Sequence, residues 1–178
     1  MTEGSGQAKY KLLIIVGLLF SVTGDTFLLM KGNLWFMAGL FFFLIAHLVY
    51  IVAFLGKPKF SRKQFVAIVP IAIYACLLLT GLHSGIFAVN GKGYGSLWVP
   101  VVSYVVVISS MFWSTVISGN KFAIIGAILF LMSDSLLAWF VTPMPWLGSY
   151  GVMITYYSAQ FLIAKSISGS REAIQTHF

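Results

Sequence analysis

Acidic residues are almost missing. Only Glu3, Asp25, Asp134 and Glu172 occur in 178 residues, against eleven Lys and Arg. Charged residues of either sign make up 8% of the chain and hydrophobic ones 60%. That poverty of charge excludes an ordinary soluble domain and indicates a polytopic membrane protein. Cysteine is nearly absent too. The single Cys76 lies in an apolar run, so neither a disulfide framework nor a cysteine-based metal site can form within the chain. There is no G-x-S-x-G elbow and no phosphate-binding glycine loop. The net charge of +7 does not point to nucleic acid. The basic residues sit in short connections between apolar runs, where they set topology and meet anionic lipid headgroups. The run from Leu12 is too long for a cleavable signal, and hydrophobic chain continues after it.

A spanning helix needs about 20 apolar residues. Six runs qualify, at 11–30, 34–55, 65–82, 97–118, 122–142 and 147–167. The expected fold is an all-α transmembrane bundle of about six helices in one domain, 1–178. Residues 1–9 and 168–178 are its polar tails, the first expected to be mobile. Lys9, Lys11, Lys57, Lys59, Arg62, Lys63, Lys121, Lys165 and Arg171 fall on one side, and only Lys31 and Lys92 on the other. The positive-inside bias predicts cytoplasmic termini. Trp35, Trp98 and Trp146 stand at the opposite ends of their spans, as interfacial anchors do. Residues 83–96, with four glycines, read as a flexible outer loop or a lid.

Two of the four acids lie inside apolar runs, in Thr23-Gly24-Asp25-Thr26 and Ser133-Asp134-Ser135. A charged group at the bilayer centre costs roughly 2.5–3.5 kcal/mol on insertion scales, which makes Asp25 and Asp134 functional candidates. Their surroundings repeat. Gly17 precedes Asp25 by eight residues and Gly126 precedes Asp134 by eight. The offset of 109 carries Gly39 onto Gly148, His47 onto Tyr156 and Ile51 onto Gln160. A two-helix unit with an Asp on its first helix thus occurs twice, in parallel, with a site expected between the halves. Gly17, Ser21, Asp25 and Leu28 share one helical face, and Gly126, Phe130, Asp134 and Leu137 another. Small residues let a neighbouring helix approach, so both faces are expected to turn inward.

His47 and Tyr50 share a face, as do Tyr156 and Gln160. Of Tyr156 and Tyr157, one is expected to line the site and the other to pack. Ser133 flanks Asp134. Ser103, Ser110 and Ser114 form a stripe on the fourth span, with Tyr104 beside it, read as a helix-joining seam or a water path. Tyr74 and Thr80 in the third span carry too little pattern to interpret. A zinc site needs three or four ligands, and His83 stands away from His47, so no metal and no cofactor are expected.

Gly24-Asp25-x-x-Leu28, Gly39-x(3)-Phe43-x(3)-His47-x-x-Tyr50, Ser133-Asp134-x-Leu136-Leu137-Ala138 and Tyr156-Tyr157-x-x-Gln160 resemble, in order and spacing, the YhhN-like lysoplasmalogenases. The resemblance runs from about residue 10 to 168. It implies hydrolysis of the vinyl-ether bond of lysoplasmalogens to a fatty aldehyde and a glycerophospho-alcohol. It also implies a lysophospholipid substrate and membrane lipids as the partners, and a family pattern with two further N-terminal helices. The residues suit that chemistry. One protonated carboxyl donates to the β-carbon, and one carboxylate stabilises the oxocarbenium ion or activates water, as in two-carboxylate glycoside hydrolysis. Asp25 and Asp134 are the expected catalytic pair. His47, Tyr50, Tyr156, Tyr157, Gln160 and Ser133 are the expected substrate- and water-binding residues. Two rivals share the same residues: a proton-coupled transporter, and a non-catalytic lipid-binding protein in which the aspartates only join helices.

Overall fold

A computed structural model describes residues 3–56, 62–88, 98–139 and 147–175. The described residues form seven helices: α1 Glu3–Leu28, α2 Asn33–Leu55, α3 Arg62–Val66, α4 Ile68–Ala88, α5 Trp98–Ser118, α6 Lys121–Trp139 and α7 Leu147–Gln175. Six are long, as the apolar runs predict, and α3 is a single added turn. It exists because Pro70 has no N–H to bond Val66, four residues back, and its ring crowds that carbonyl. The helix breaks at Ala67 and resumes at Ile68. Three boundaries differ from the sequence reading. Helix α4 runs on to Ala88, so the first six residues of the expected loop are helical; residues 89–97, where the rest of a lid would lie, are outside the described residues. Helix α1 starts at Glu3 and α7 continues to Gln175, so both polar tails enter helices rather than flank them.

Five helices close a ring: α1 packs on α2, α2 on α5, α5 on α6, α6 on α7, and α7 back on α1. Helix α4 lies outside it, against α5 and α6. At one end of the ring the Tyr10 hydroxyl meets the Ser166 Oγ at 2.5 Å, and Asn120 Nδ2 donates to the Ser166 carbonyl at 2.9 Å. Those bonds bring the start of α1 and the start of α6 to the same stretch of α7. Helices α1 and α6 therefore run in the same direction.

The α5–α6 turn follows from two residues. Gly119 adopts φ 68°, the left-handed cap that ends many helices, and its N–H bonds the Thr115 carbonyl at 3.2 Å. Asn120 then caps α6, its Oδ1 accepting from the Phe122 and Ala123 N–H groups at 3.0 and 3.2 Å. Gly32, at φ 124°, makes the tight α1–α2 connection.

The two helix pairs pack alike. A Cβ on Gly17 would overlap the Tyr50 ring, and a Cβ on Gly126 would stand 3.1 Å from the Ala159 carbonyl. The offset of 109 carries Gly17 to Gly126 and Tyr50 to Ala159, so corresponding glycines receive corresponding residues of the second helix. Inside the ring Ile14, Tyr50, Ile108, Met111, Phe130 and Ile163 are fully buried. Outward, Leu12, Leu19, Val22, Leu77 and Phe161 are exposed. Among the described residues four helices are long and apolar enough to cross a membrane. An apolar exterior around a core that keeps its polar groups inside is the pattern a lipid solvent selects; this is a multi-pass membrane protein.

Candidate active site

Both aspartates lie near the C-terminal ends of parallel helices, Asp25 in the last turn of α1 and Asp134 five residues before the end of α6. They are therefore at the same end of the ring. Each is half-buried, and each accepts a hydrogen bond from a tyrosine on another helix. Tyr156 of α7 donates to Asp25 Oδ2 at 2.9 Å, and Tyr104 of α5 donates to Asp134 Oδ2 at 2.8 Å. A phenol partner leaves the second carboxylate oxygen and its lone pairs available, where a guanidinium fork would occupy both.

On the Asp25 side four sequence-predicted residues join in one chain of hydrogen bonds. Tyr50 donates to Gln160 Oε1 at 2.9 Å, Gln160 Nε2 donates to the Tyr156 oxygen at 3.1 Å, and Tyr156 donates to Asp25. The four-residue spacing puts Tyr156 and Gln160 on the same face of α7, while Tyr50 reaches them across the ring from α2. Gly17 gives the Tyr50 ring its place.

His47 stands between the two carboxyl sites. Its Nδ1–H donates to the Phe43 carbonyl at 2.5 Å, and its Nε2 is buried with no hydrogen-bond partner. The imidazole is edge-on to Phe130 at 4.7 Å and to Tyr104 at 5.5 Å between ring centroids. Phe130 in turn meets Tyr156 at 5.4 Å. An unbroken line of aromatic contacts thus runs from the Asp25–Tyr156 pair through Phe130 and His47 to Tyr104 and Asp134. Neither carboxylate bonds the other; they stand at the two ends of this line. The tautomer that serves Phe43 leaves Nε2 as a lone-pair acceptor, one of the few buried polar atoms without a partner among the described residues.

The remaining candidates lie elsewhere. Tyr157 is 60% exposed and packs its ring against Tyr156 from outside. Ser133 donates to the Val152 carbonyl at 3.2 Å, a bond that joins α6 to α7. In the α5 stripe, Ser103, Ser110 and Ser114 each donate to a carbonyl of their own helix. A hydroxyl three or four residues along finds its own backbone first; of the three, Ser114 is buried in the packed interior. Among the described residues no three metal-ligating side chains come together.

Two contributors escaped the sequence reading. Tyr104 holds Asp134, yet in sequence it is one aromatic beside a serine stripe. Tyr74 bonds Ser135, the residue after Asp134, and donates to the Leu131 carbonyl at 3.2 Å. The one signal available was that Tyr74 is the only tyrosine of its span. A phenol in a membrane helix needs a partner for its hydroxyl, which directs it inward.

Residues 1–167 match the model of the YhhN family. The chain belongs to that family. Among its curated YhhN-family relatives, the lysoplasmalogenase TMEM86A of Bos taurus is 32% identical over 170 residues, covering 92% of this chain and 68% of the relative. The lysoplasmalogenase TMEM86B of Homo sapiens is 31% identical over 164 residues, covering 91% and 66%. A bacterial lysoplasmalogenase, from Mycobacterium bovis, is 32% identical over 130 residues, covering 70% and 48%. No solved structure matches the chain significantly. In this YhhN-family chain the matched region contains both aspartates and every residue of the hydrogen-bond chain described above.

Proposed function

We propose that this protein is an integral-membrane lysoplasmalogenase. It adds water across the vinyl ether of a lysoplasmalogen and releases a fatty aldehyde and a glycerophospho-alcohol. The observation that carries the reading is the pair of phenol-held carboxyls at one end of a closed helical ring, in a chain whose relatives bear that enzymatic name.

The reaction needs two acid–base groups. A carboxylic acid, Asp25 or Asp134, gives its proton to the β-carbon, and the π electrons of the double bond form the new C–H bond. The resulting oxocarbenium ion is stabilised by the carboxylate opposite. Water attacks the α-carbon, its proton passing to that carboxylate. The hemiacetal then collapses: the aspartate that gave up its proton takes the hydroxyl proton, the C–O bond to glycerol breaks, the departing oxygen takes a proton from the other aspartate, and the aldehyde remains with both groups restored. Each positioned acid or base is worth about 10²–10⁴ in rate. The free lone pair of His47 Nε2 suits it to hold the attacking water between the carboxyls. Tyr50, Gln160 and Tyr156 orient Asp25 as a unit, and Tyr104 orients Asp134.

The nine basic residues on one side of the spans favour cytoplasmic termini. The C-terminal ends of α1 and α6, with the aspartates, then face the opposite leaflet, where a single-chain lipid would enter with its headgroup at the interface. The test is direct. Purified protein incubated with a lysoplasmalogen should release aldehyde. Intact solute crossing proteoliposomes, with no aldehyde formed, would instead identify a transporter.

A further inference from the structure

A carboxylate can only accept hydrogen bonds, and that fixes the polarity of every bond in the chain ending on Asp25. Tyr156 donates to Asp25 Oδ2 at 2.9 Å. Its one proton is then spent, so its oxygen accepts, and Gln160 Nε2 donates to it at 3.1 Å. The Gln160 amide is thereby turned with Oε1 toward Tyr50, which donates at 2.9 Å. The Tyr50 proton is now spent as well, so its oxygen can only accept. The place beyond it calls for a donor. Ser21 of α1 stands there. It is 1% exposed, and its hydroxyl lies beside the Tyr50 phenol without completing a hydrogen bond to any described residue. Gly17, one turn earlier on the same face, admits the phenol end of the ring: a Cβ there would stand 2.9 Å from Tyr50 Cζ. Elsewhere on α1 the hydroxyls of Thr23 and Thr26 bond back to the Leu19 and Val22 carbonyls at 2.9 Å. Ser21 does not, so its proton stays available inside the bundle. His47 Nε2, also unpartnered, is an acceptor and cannot fill this place.

We propose that Ser21 is a positioning residue for Asp25: the terminal donor of the chain, its O–H directed at the Tyr50 oxygen. The proposal rests on the reading above in which Asp25 is a reacting carboxyl. With Ser21 in place the bonds form a circuit. It leaves α1 at Ser21, passes through Tyr50 of α2 and Gln160 and Tyr156 of α7, and returns to α1 at Asp25, one turn further along. Both ends are thus fixed to the same turn of one helix. A donor at the head polarises each bond after it in the same sense, toward the carboxylate. A buried hydroxyl left unpaired is costly, so a slight movement that closes this bond is favoured. Ser21 acts through Tyr50 and not on the substrate. Its loss should therefore lower kcat and leave KM unchanged.

The experiment is a double-mutant cycle on the full chain. Ser21→Ala, Tyr50→Phe and the pair together are purified, and aldehyde release from a lysoplasmalogen is measured for each. Ser21→Cys keeps nearly the same shape with a much weaker donor. Thr23→Ala, on the other side of α1, is the control. Ser21→Ala should lower kcat roughly 2–10-fold, the effect of one neutral hydrogen bond, with KM kept. Ser21→Cys should behave like Ser21→Ala, and Thr23→Ala like the wild type. In the Tyr50→Phe background, where the accepting oxygen is gone, Ser21→Ala should cost nothing further. Wild-type kcat in Ser21→Ala would overturn the proposal. So would an equal loss in both backgrounds, the mark of a packing role or of a bond to His47, or full activity in Ser21→Cys, the mark of shape alone. If the wild-type protein released no aldehyde, the enzymatic reading would fail, and melting temperatures of the same four proteins in detergent would still decide the bond. Shifts that do not add across the cycle would support it, and additive shifts would exclude it.

Discussion

Asp25 and Asp134 share a residue type and a repeat position but not a neighbourhood. Asp25 closes a chain of Tyr50, Gln160 and Tyr156, whereas Asp134 has Tyr104 from a helix outside the repeat. The offset of 109 makes His47 the counterpart of Tyr156, so symmetry alone would hand Asp134 to His47. Instead Tyr104 takes that place, and His47 turns its Nδ1–H to Phe43 and keeps Nε2 free. In the proposed reaction, this asymmetry would let two like groups take different roles. Asp25→Asn and Asp134→Asn are each expected to lower aldehyde release by about 10²-fold or more while the purified protein keeps its helical circular dichroism; wild-type turnover in both would exclude the carboxyl mechanism. Tyr156→Phe and Tyr104→Phe remove one hydrogen bond to a carboxylate, worth about 1.5–3 kcal/mol. Each should cost roughly 10–100-fold in kcat/KM, a smaller loss than the aspartate changes, read from the same aldehyde assay.

At the scale of the helix, small residues decide where large ones go. Gly24 and Gly39 bring the backbones of α1 and α2 together: a Cβ on either would lie 3.2 Å from the other's carbonyl oxygen. Gly17 leaves the volume that the Tyr50 ring fills. Without a hydrophobic driving force between helices in lipid, such close packing is a principal source of association. Gly17→Val should therefore lower thermal stability in detergent by about 1–3 kcal/mol, the usual cost of overpacking, and displace Tyr50 from Gln160, with activity falling in step. Gly81 is the counter-case. It lies within α4, and a Cβ added there would meet nothing within 4 Å, so Gly81→Ala should raise stability, by up to about 1 kcal/mol from helix propensity. A melting temperature that moved the same way in both variants would contradict this account of the two glycines.

The molecule as a whole is a ring of five helices with a sixth long helix outside it. Helix α4 has no member in the hydrogen-bond chain around Asp25; its share is Tyr74, which bonds Ser135 and the Leu131 carbonyl beside Asp134. Orientation belongs to this scale as well. Tags on either terminus of the protein in sealed, right-side-out cells should resist external protease, as the positive-inside bias requires; cleavage of either would reverse the assignment of the aspartate-bearing end.

Much of this was determined by the chain alone. Periodicity is not needed to find a membrane helix, only length and hydropathy, so the six runs stand out and their ends shift by a few residues. The rarity of acids singled out Asp25 and Asp134, because burying a carboxyl is costly enough that few are retained without use. The repeat and the one-face spacing placed Gly17, Tyr50, Tyr156 and Gln160 on inward stripes. What helical spacing cannot supply is the partner across the bundle. That Tyr104 rather than His47 bonds Asp134, that Tyr156 faces inward and Tyr157 outward, and that Ser133 serves Val152 all depend on how the ring closes. The same limit holds for the serine stripe of α5: a stripe says which side chains share a face, but only packing decides which of them it covers, and it buries Ser114 while leaving Ser103 exposed.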